Sequence, residues 1–416
     1  MTAAAQTPLR DAAREAFLYA LPVTEIANVR ANLLGAGIPA GRFYLQRGLA
    51  TSRDRFVTTP NADTLYANAF IDLSRGPATL TLPAFGDRYA SLALMDMFSD
   101  NFAVLGTRTT GQGGGRFTLV GPDDAAPPGA IRSPTTWVWA MARVLVNGPD
   151  DEAAALAVLR GFDCEAAPMG SAPAPGADRT GPWDAWFAAA NALMLENPAP
   201  ATDRRVLDRM APLGLGPDFD PARFTPAEAA EITTGMMDGA ALTQSRGFAG
   251  KMVGDWLYPA TNTGNFFQDY LTRARIAVTG LAALPIREAT YLAALPPEGR
   301  LFDGDGPWRL TFAADALPQV EGFWSLTMYQ AEANGAFFLT ENPIGRYAIG
   351  DRTPGLRYGA DGGLEIVVSR TSPGAGREAN WLPAPASGPF TVILRTYLPR
   401  ADIVAQTYVP PSIQQA

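Results

Sequence analysis

Histidine is absent from this chain, while cysteine occurs once, as Cys164, and lysine once, as Lys251. Without imidazole, Ser-His-Asp and Cys-His nucleophile systems are excluded, together with histidine-ligated zinc, copper, haem and non-haem iron. A single thiol can form neither an intrachain disulfide nor a thiolate metal cluster. Every basic residue other than Lys251 is arginine, a fixed cation that cannot serve as a base near neutral pH. Acid–base work therefore falls to Asp, Glu, Tyr, Lys251, Cys164 or a chain terminus. No cofactor is expected. A metal, were one bound, would be calcium or magnesium on oxygen ligands, and no motif supports either.

Long apolar runs are missing too. Nowhere do about 18 uninterrupted apolar residues occur, so no membrane-spanning helix is expected. The stretch from Met1 to Arg10 lacks a basic region followed by an apolar one, so no signal peptide is visible. The expectation is a cytoplasmic protein as the sequence is written; a trimmed periplasmic or secreted form fits equally.

What is present points to a turn-rich globular chain. Its 416 residues are 47% hydrophobic and 18% charged, with 41 glycines and 36 prolines. That composition favours many strands and loops over a plain helical bundle. The formal net charge of −8 repels phosphate backbones and anionic lipid. The expected partner is a small-molecule substrate or ligand rather than nucleic acid or a membrane, and a homo-oligomer is compatible with the composition.

Periodicity divides the chain into four parts. Residues 1–45 read as a helical segment, with Ala13, Ala16, Phe17, Ala20 and Leu21 at helical spacing and a kink or break at Pro22. Residues 46–148 alternate as strands, among them 79–82, 89–98, 116–120 and 137–146. Residues 149–296 read as a helical insert, with one helix through Trp183 and Trp186 and another from Phe267 to Leu281. Residues 297–416 form a second strand block, including 308–312, 323–330, 364–370 and 390–397. The fold class is thus mainly β with an α-helical insert, and the strand blocks suit a sandwich or jelly roll. Strands and helices do not alternate one by one, which argues against a parallel Rossmann sheet. The glycine run 111–115 reads as a hairpin tip. The run 303–306 reads as a turn, because Pro307 and Ala314 stand where a calcium loop needs ligands.

Three strands carry one charge in phase with apolar neighbours: Asp96 with Leu92 and Leu94, Arg143 with Trp139 and Met141, and Arg370 with Ile366 and Val368. Residues two apart share a strand face, so these charges point inward and need a partner or a wet cavity. They are either structural ion pairs or the lining of a ligand pocket. The stretch from Thr58 to Tyr66 packs short polar groups around Pro60, and is either a side-chain-stabilised turn or a ligand loop bearing Asn61, Asp63 and Tyr66. Asn342, Arg346, Tyr347, Asp351, Arg352, Glu378, Asn380 and Trp381 lie on further loops whose arginine and tryptophan suit a planar anion or a sugar ring.

These same blocks resemble the bacterial proteins that pair a DUF1254 with a DUF1214 domain. The N-terminal likeness runs through residues 59–66 (TPNADTLY), 86–89, 101–102 and 106–109. The C-terminal likeness runs through 323–329 (FWSLTMY), 342–343, 346–352 (RYAIGDR) and 378–383 (EANWLP). The resemblance implies an immunoglobulin-like β-sandwich first and a jelly-roll-like β-sandwich last. It implies no reaction.

Two functions follow from the residues. The first is an enzyme acting on a small polar or anionic organic substrate, hydrolysis being the first choice and a lyase or isomerase equally open. Asp63, Asp96, Asp351, Glu378 and Tyr66 are its candidate acid–base groups, since carboxyls in different environments can split those roles. Asn61, Arg143, Trp324, Asn342, Arg346, Tyr347, Arg352, Asn380 and Trp381 are its candidate substrate-binding groups. The second is a non-catalytic module that binds a carbohydrate or similar ligand, because stacking rings and amides serve binding equally well.

Overall fold

The structure, a computed structural model, describes residues 7–55, 58–244, 250–295, 301–303, 306–333 and 335–415. It is rich in β-structure, with several open sheets and seven α-helices among those residues. Two pairs of sheets account for every strand among the described residues. In the N-terminal half a five-stranded antiparallel sheet runs in the order Tyr44–Leu45, Thr64–Asp72, Trp137–Leu145, Ala90–Met95, Asn101–Gly106. It packs on a four-stranded sheet of Ile131–Arg132, Gly115–Val120, Ala78–Leu82 and Asp163–Glu165. The core between them holds Leu65, Ala67, Ile71, Leu80, Leu92, Leu94, Leu119, Val138 and Val144. Alternation explains it: every second residue of each strand faces this core.

The C-terminal half repeats the plan. A seven-stranded sheet centres on Ala289–Ala294, Phe390–Pro399 and Val320–Ala331, and a four-stranded sheet on Leu364–Ser369 and Trp308–Phe312 covers one face. Leu292, Leu310, Phe312, Trp324, Leu326, Ile366, Val392 and Leu394 fill the space between.

The helices cover what remains. Pro8–Gly35 is one uninterrupted helix whose Thr7 cap accepts the Arg10 N–H. It passes through Pro22, where a kink or break is expected from sequence. Pro22 and its neighbours 16–21 are all buried, so packing supports the turn that lacks an N–H. This helix lies with helices Trp183–Glu196, Pro226–Gln244 and Tyr270–Thr279 over Phe70, Met95, Trp137, Trp139 and Met141 on the outer face of the five-stranded sheet.

The expected boundaries shift in three places. The stretch read as a helical insert contributes Asp163–Glu165 to the N-terminal sandwich, and Gly250–Val253, Trp256–Pro259 and Ala289–Ala294 to the seven-stranded sheet. Short strands flanked by loops give too few alternations to stand out from the helices around them. Phe267, expected within a helix, lies before Tyr270–Thr279 with φ 53° and 74% exposure. The 111–115 glycine run joins strands of two different sheets, because Asn101–Gly106 pairs with Ala90–Met95 and Gly115–Val120 with Ala78–Leu82. Of the run 303–306, residues 304 and 305 lie outside the described residues. No described helix is long and apolar enough to cross a membrane.

Candidate functional site

The two sandwiches meet sheet to sheet. Residues out of phase with the sandwich cores face each other here: Tyr66, Tyr89, Ser91, Ala93 and Arg143 from one side, and Tyr291, Phe323, Ser325, Thr327, Tyr329, Ile393, Arg395 and Tyr397 from the other. Part of the contact is ordinary apolar packing, with Tyr89, Ala93, Val104, Leu145, Ala289, Phe323 and Tyr397 in one cluster. The Phe323 and Tyr397 rings stack at 4.2 Å between centroids. The rest is polar and enclosed.

The polar groups form a continuous set. The Asn61 amide donates to the Tyr397 hydroxyl at 2.7 Å, and that hydroxyl lies 2.6 Å from the Tyr291 hydroxyl. Asp63 accepts from Ser325 Oγ at 2.6 Å and pairs with Arg352 Nη2 at 3.4 Å, linking the two halves. Arg395 donates through Nη2 to the Thr59 carbonyl at 3.0 Å and to the Tyr329 hydroxyl, which itself donates to the Pro60 carbonyl at 2.7 Å. Arg143 donates through Nη2 to the Ala282 carbonyl at 2.9 Å, and its guanidinium lies 5.2 Å from the centre of the Tyr66 ring. Thr59 adopts φ 50°, a strained choice for a β-branched residue, and so turns its carbonyl within reach of Arg395.

What distinguishes this set is unmet hydrogen-bonding capacity. Arg143 and Arg395 are 5% and 2% exposed, yet Nε and Nη1 of both lack a partner. Thr64 Oγ1 and Thr327 Oγ1 are buried and unpaired as well. Leaving a buried charged donor unpaired costs several kcal/mol. Tyr66 and Tyr291 are only half-buried although they lie between the sheets, so solvent reaches part of each ring.

The charges set the phenols apart from one another. Burial pushes Tyr291 up, and Tyr397 and Tyr89 well up, because a phenolate is poorly solvated there. For Tyr66 burial acts the same way but loses. The Arg143 charge beside it and the Arg395 charge across the interface together hold it below the ordinary tyrosine value of 10.0. Tyr66 is thus the phenol of this cluster that gives up its proton most readily.

Residues 40–166 match the family described as "Protein of unknown function (DUF1254)", and residues 288–401 match "Protein of unknown function (DUF1214)". The chain belongs to this DUF1254/DUF1214 family. The crystal structure of the VPA0106 protein from Vibrio parahaemolyticus shares its fold, with TM-score 0.74 and 22% identity over 99% of this chain and 100% of that one. A putative uncharacterized protein from Burkholderia cenocepacia aligns at TM-score 0.48 and 15% identity, over 98% of this chain and 94% of that one. No curated protein matches the chain. Tyr66 and Arg143 lie in the DUF1254 segment; Tyr291, Tyr329, Arg395 and Tyr397 lie in the DUF1214 segment.

Within this DUF1254/DUF1214 frame the residues singled out in the sequence separate into groups. Asn61, Asp63, Tyr66, Arg143 and Arg352 gather at the interface. Asp351 joins its rim, bonded to Arg352 Nε at 3.2 Å and to the Trp324 N–H at 3.3 Å, and burial raises its carboxyl. Tyr347 packs beside Tyr329 in a neighbouring apolar cluster, its hydroxyl 3.3 Å from Ser52 Oγ. Trp324 instead points into the DUF1214 core against Phe312, because it is one residue out of phase with Phe323 and Ser325.

The remaining candidates are placed elsewhere. Arg346 donates from Nη1 to the carbonyls of Glu378, Ala379 and Trp381 at 2.8, 3.2 and 2.8 Å. Asn342 accepts from the Arg346 N–H, Asn380 bonds to Arg357 and Glu365 main chain, and Glu378 accepts from Ser372 Oγ. Trp381 is buried and donates to the Ser369 carbonyl. These five residues tie loops of the DUF1214 domain to one another.

Asp96 closes its own turn, accepting from the Phe98 and Asp100 N–H groups at 2.9 and 3.0 Å. It belongs to a second buried cluster under the long helix. There Arg273 lies 3.7 Å from Asp100 and within 5.4 Å of the ring centres of Tyr19, Phe98 and Tyr270. Burial, then the Asp100 charge, raise Asp96 to about 7. Arg370 is half-buried.

Sequence reasoning passed over Tyr89, Tyr291, Thr327, Tyr329, Arg395 and Tyr397. The signal was the one that selected Arg143. In the 390–397 strand Arg395 is in phase with Ile393 and Tyr397 and out of phase with Val392 and Leu394. A strand buried on both faces that carries a polar residue on one of them marks a second buried contact.

Proposed function

We propose that this DUF1254/DUF1214 protein takes a small organic anion between its two sandwiches, and that Tyr66 exchanges a proton with it. The observation that carries this reading is the pair of buried guanidiniums, Arg143 and Arg395, each with two nitrogens unpaired beside a half-buried phenol. A bound carboxylate would meet both the hydrogen-bonding and the charge demand. Tyr66, held below its ordinary value by Arg143, can take a proton from carbon next to such a carboxylate and return it elsewhere. The guanidiniums would stabilise the negative charge that develops. Among the described residues the interface offers no carboxylate free to activate water, because Asp63 is taken by Ser325 and Arg352 and Glu288 by Tyr89 and Arg108. That favours isomerase or lyase chemistry over hydrolysis. The reading invokes no cofactor.

We also read the first sandwich as immunoglobulin-like and the second as jelly-roll-like, in line with their paired sheets, antiparallel but for one parallel strand pair in each four-stranded sheet. The function is tested by thermal-shift screening of the whole chain against small carboxylates, because a ligand of the folded state raises Tm by mass action. A hit that is turned over by the native protein, and is still bound but not turned over by Tyr66→Phe, is the expected outcome. Binding without turnover in both would reduce the protein to a binding module. No shift with any anion would remove the reading altogether.

A further inference from the structure

The count of free donors at this interface exceeds what one carboxylate can accept. Arg143 and Arg395 each commit Nη2 alone and leave Nε, with one hydrogen, and Nη1, with two. Thr64 and Thr327 add two unpaired hydroxyls. A single carboxylate offers about four lone-pair sites. The cations also stand on opposite walls: Arg143 belongs to Trp137–Leu145 of the first sandwich and Arg395 to Phe390–Pro399 of the second. Both charges act on Tyr66 and on Tyr291, which puts the four side chains in one neighbourhood. The half-buried Tyr291 ring lies 5.2 Å from the Arg395 guanidinium and also feels the Arg143 charge, so an aromatic face adjoins both cations. A compact anion on one guanidinium would leave the other buried, unpaired and charged.

We propose that the ligand is a dicarboxylate, one carboxylate held by Arg143 near Tyr66 and the other by Arg395, with a short carbon chain between. This rests on the anion reading above and narrows it to a substrate class. Two charge-assisted contacts act together, so a second carboxylate adds affinity that a lengthened monoacid cannot gain.

Calorimetric titration of the whole chain with succinate, glutarate, butyrate and inorganic phosphate tests it. The expected result is that succinate or glutarate binds at least about tenfold tighter than butyrate. In Arg395→Met that advantage should vanish, leaving dicarboxylate and butyrate alike. Butyrate binding as tightly as either dicarboxylate would overturn the dianion proposal and leave the anion reading standing. Phosphate binding tightest would overturn it in favour of a compact oxyanion. Failure of all four to bind would count against both. Should Arg395→Met not fold, Arg395→Lys keeps the charge without the planar fork, and the native panel alone still decides between one carboxylate and two.

Discussion

Arg143 and Arg395 are expensive side chains to keep. Each is buried with an incomplete set of partners, so the fold holds two charges that its interior solvates poorly. Replacing Arg143 by methionine, of similar length and no charge, should therefore leave Tm unchanged or raise it by a few degrees in the absence of ligand. The same variant should lose all stabilisation by added carboxylates. A large drop in Tm without ligand would mean that Arg143 holds the fold rather than a ligand. Asp96 makes a different prediction. Its folded value of about 7 lies above the ordinary 3.8, so its contribution to stability is fully present below about pH 4 and is lost as pH rises through 7. Asp96→Asn keeps the oxygen that accepts from Phe98 and Asp100 and removes the titration. Chemical denaturation across pH 4 to 8 should show a slope of a few kcal/mol in the native protein and a flatter profile in the variant. Equal slopes in both would show that Asp96 is not the group responsible.

At the scale of elements, the Arg346 cap illustrates how a motif can be specific and yet structural. One guanidinium gathers three carbonyls from 378–381, so Arg346→Ala should cost about 2–4 kcal/mol in urea denaturation and leave carboxylate affinity unchanged. Weakened binding at unchanged stability would return Arg346 to the site. Sequence periodicity made the strand blocks and their inward faces legible: Trp308–Phe312 appears at its predicted bounds, and Arg143 faces inward with Trp139 and Met141. It did not reveal that two sheets are buried on both faces. Period-2 reasoning identifies which residues share a face, and says nothing of what covers that face. Asn61, Asp63 and Tyr66 stood out because short polar residues crowd one loop. Arg395 and Tyr397 stood inside an apolar strand and drew no notice. The loop residues Arg346, Asn380 and Trp381 carry the residue types of a binding site, but their hydrogen bonds are spent on nearby main chain.

For the whole molecule, the site exists only when the two halves are docked. Asp63 of the first sandwich holds Ser325 and Arg352 of the second, and removing it leaves both without that partner. Asp63→Ala should lower stability by about 3 kcal/mol and broaden or split a single calorimetric transition into two. A sharp, unshifted transition would show that the halves are held by the apolar contacts alone. Tyr66 reports the docked state itself, since Arg143 beside it and Arg395 across the interface both favour its phenolate. Ultraviolet titration of tyrosinate in the native protein and in Tyr66→Phe, with and without a saturating dicarboxylate, therefore tests the site most directly. One phenol should ionise below 10, be missing in Tyr66→Phe, and move upward when the dicarboxylate takes up the guanidinium charge. Identical titrations in both proteins, or a curve that carboxylate leaves untouched, would contradict an anion site built around Tyr66, Arg143 and Arg395.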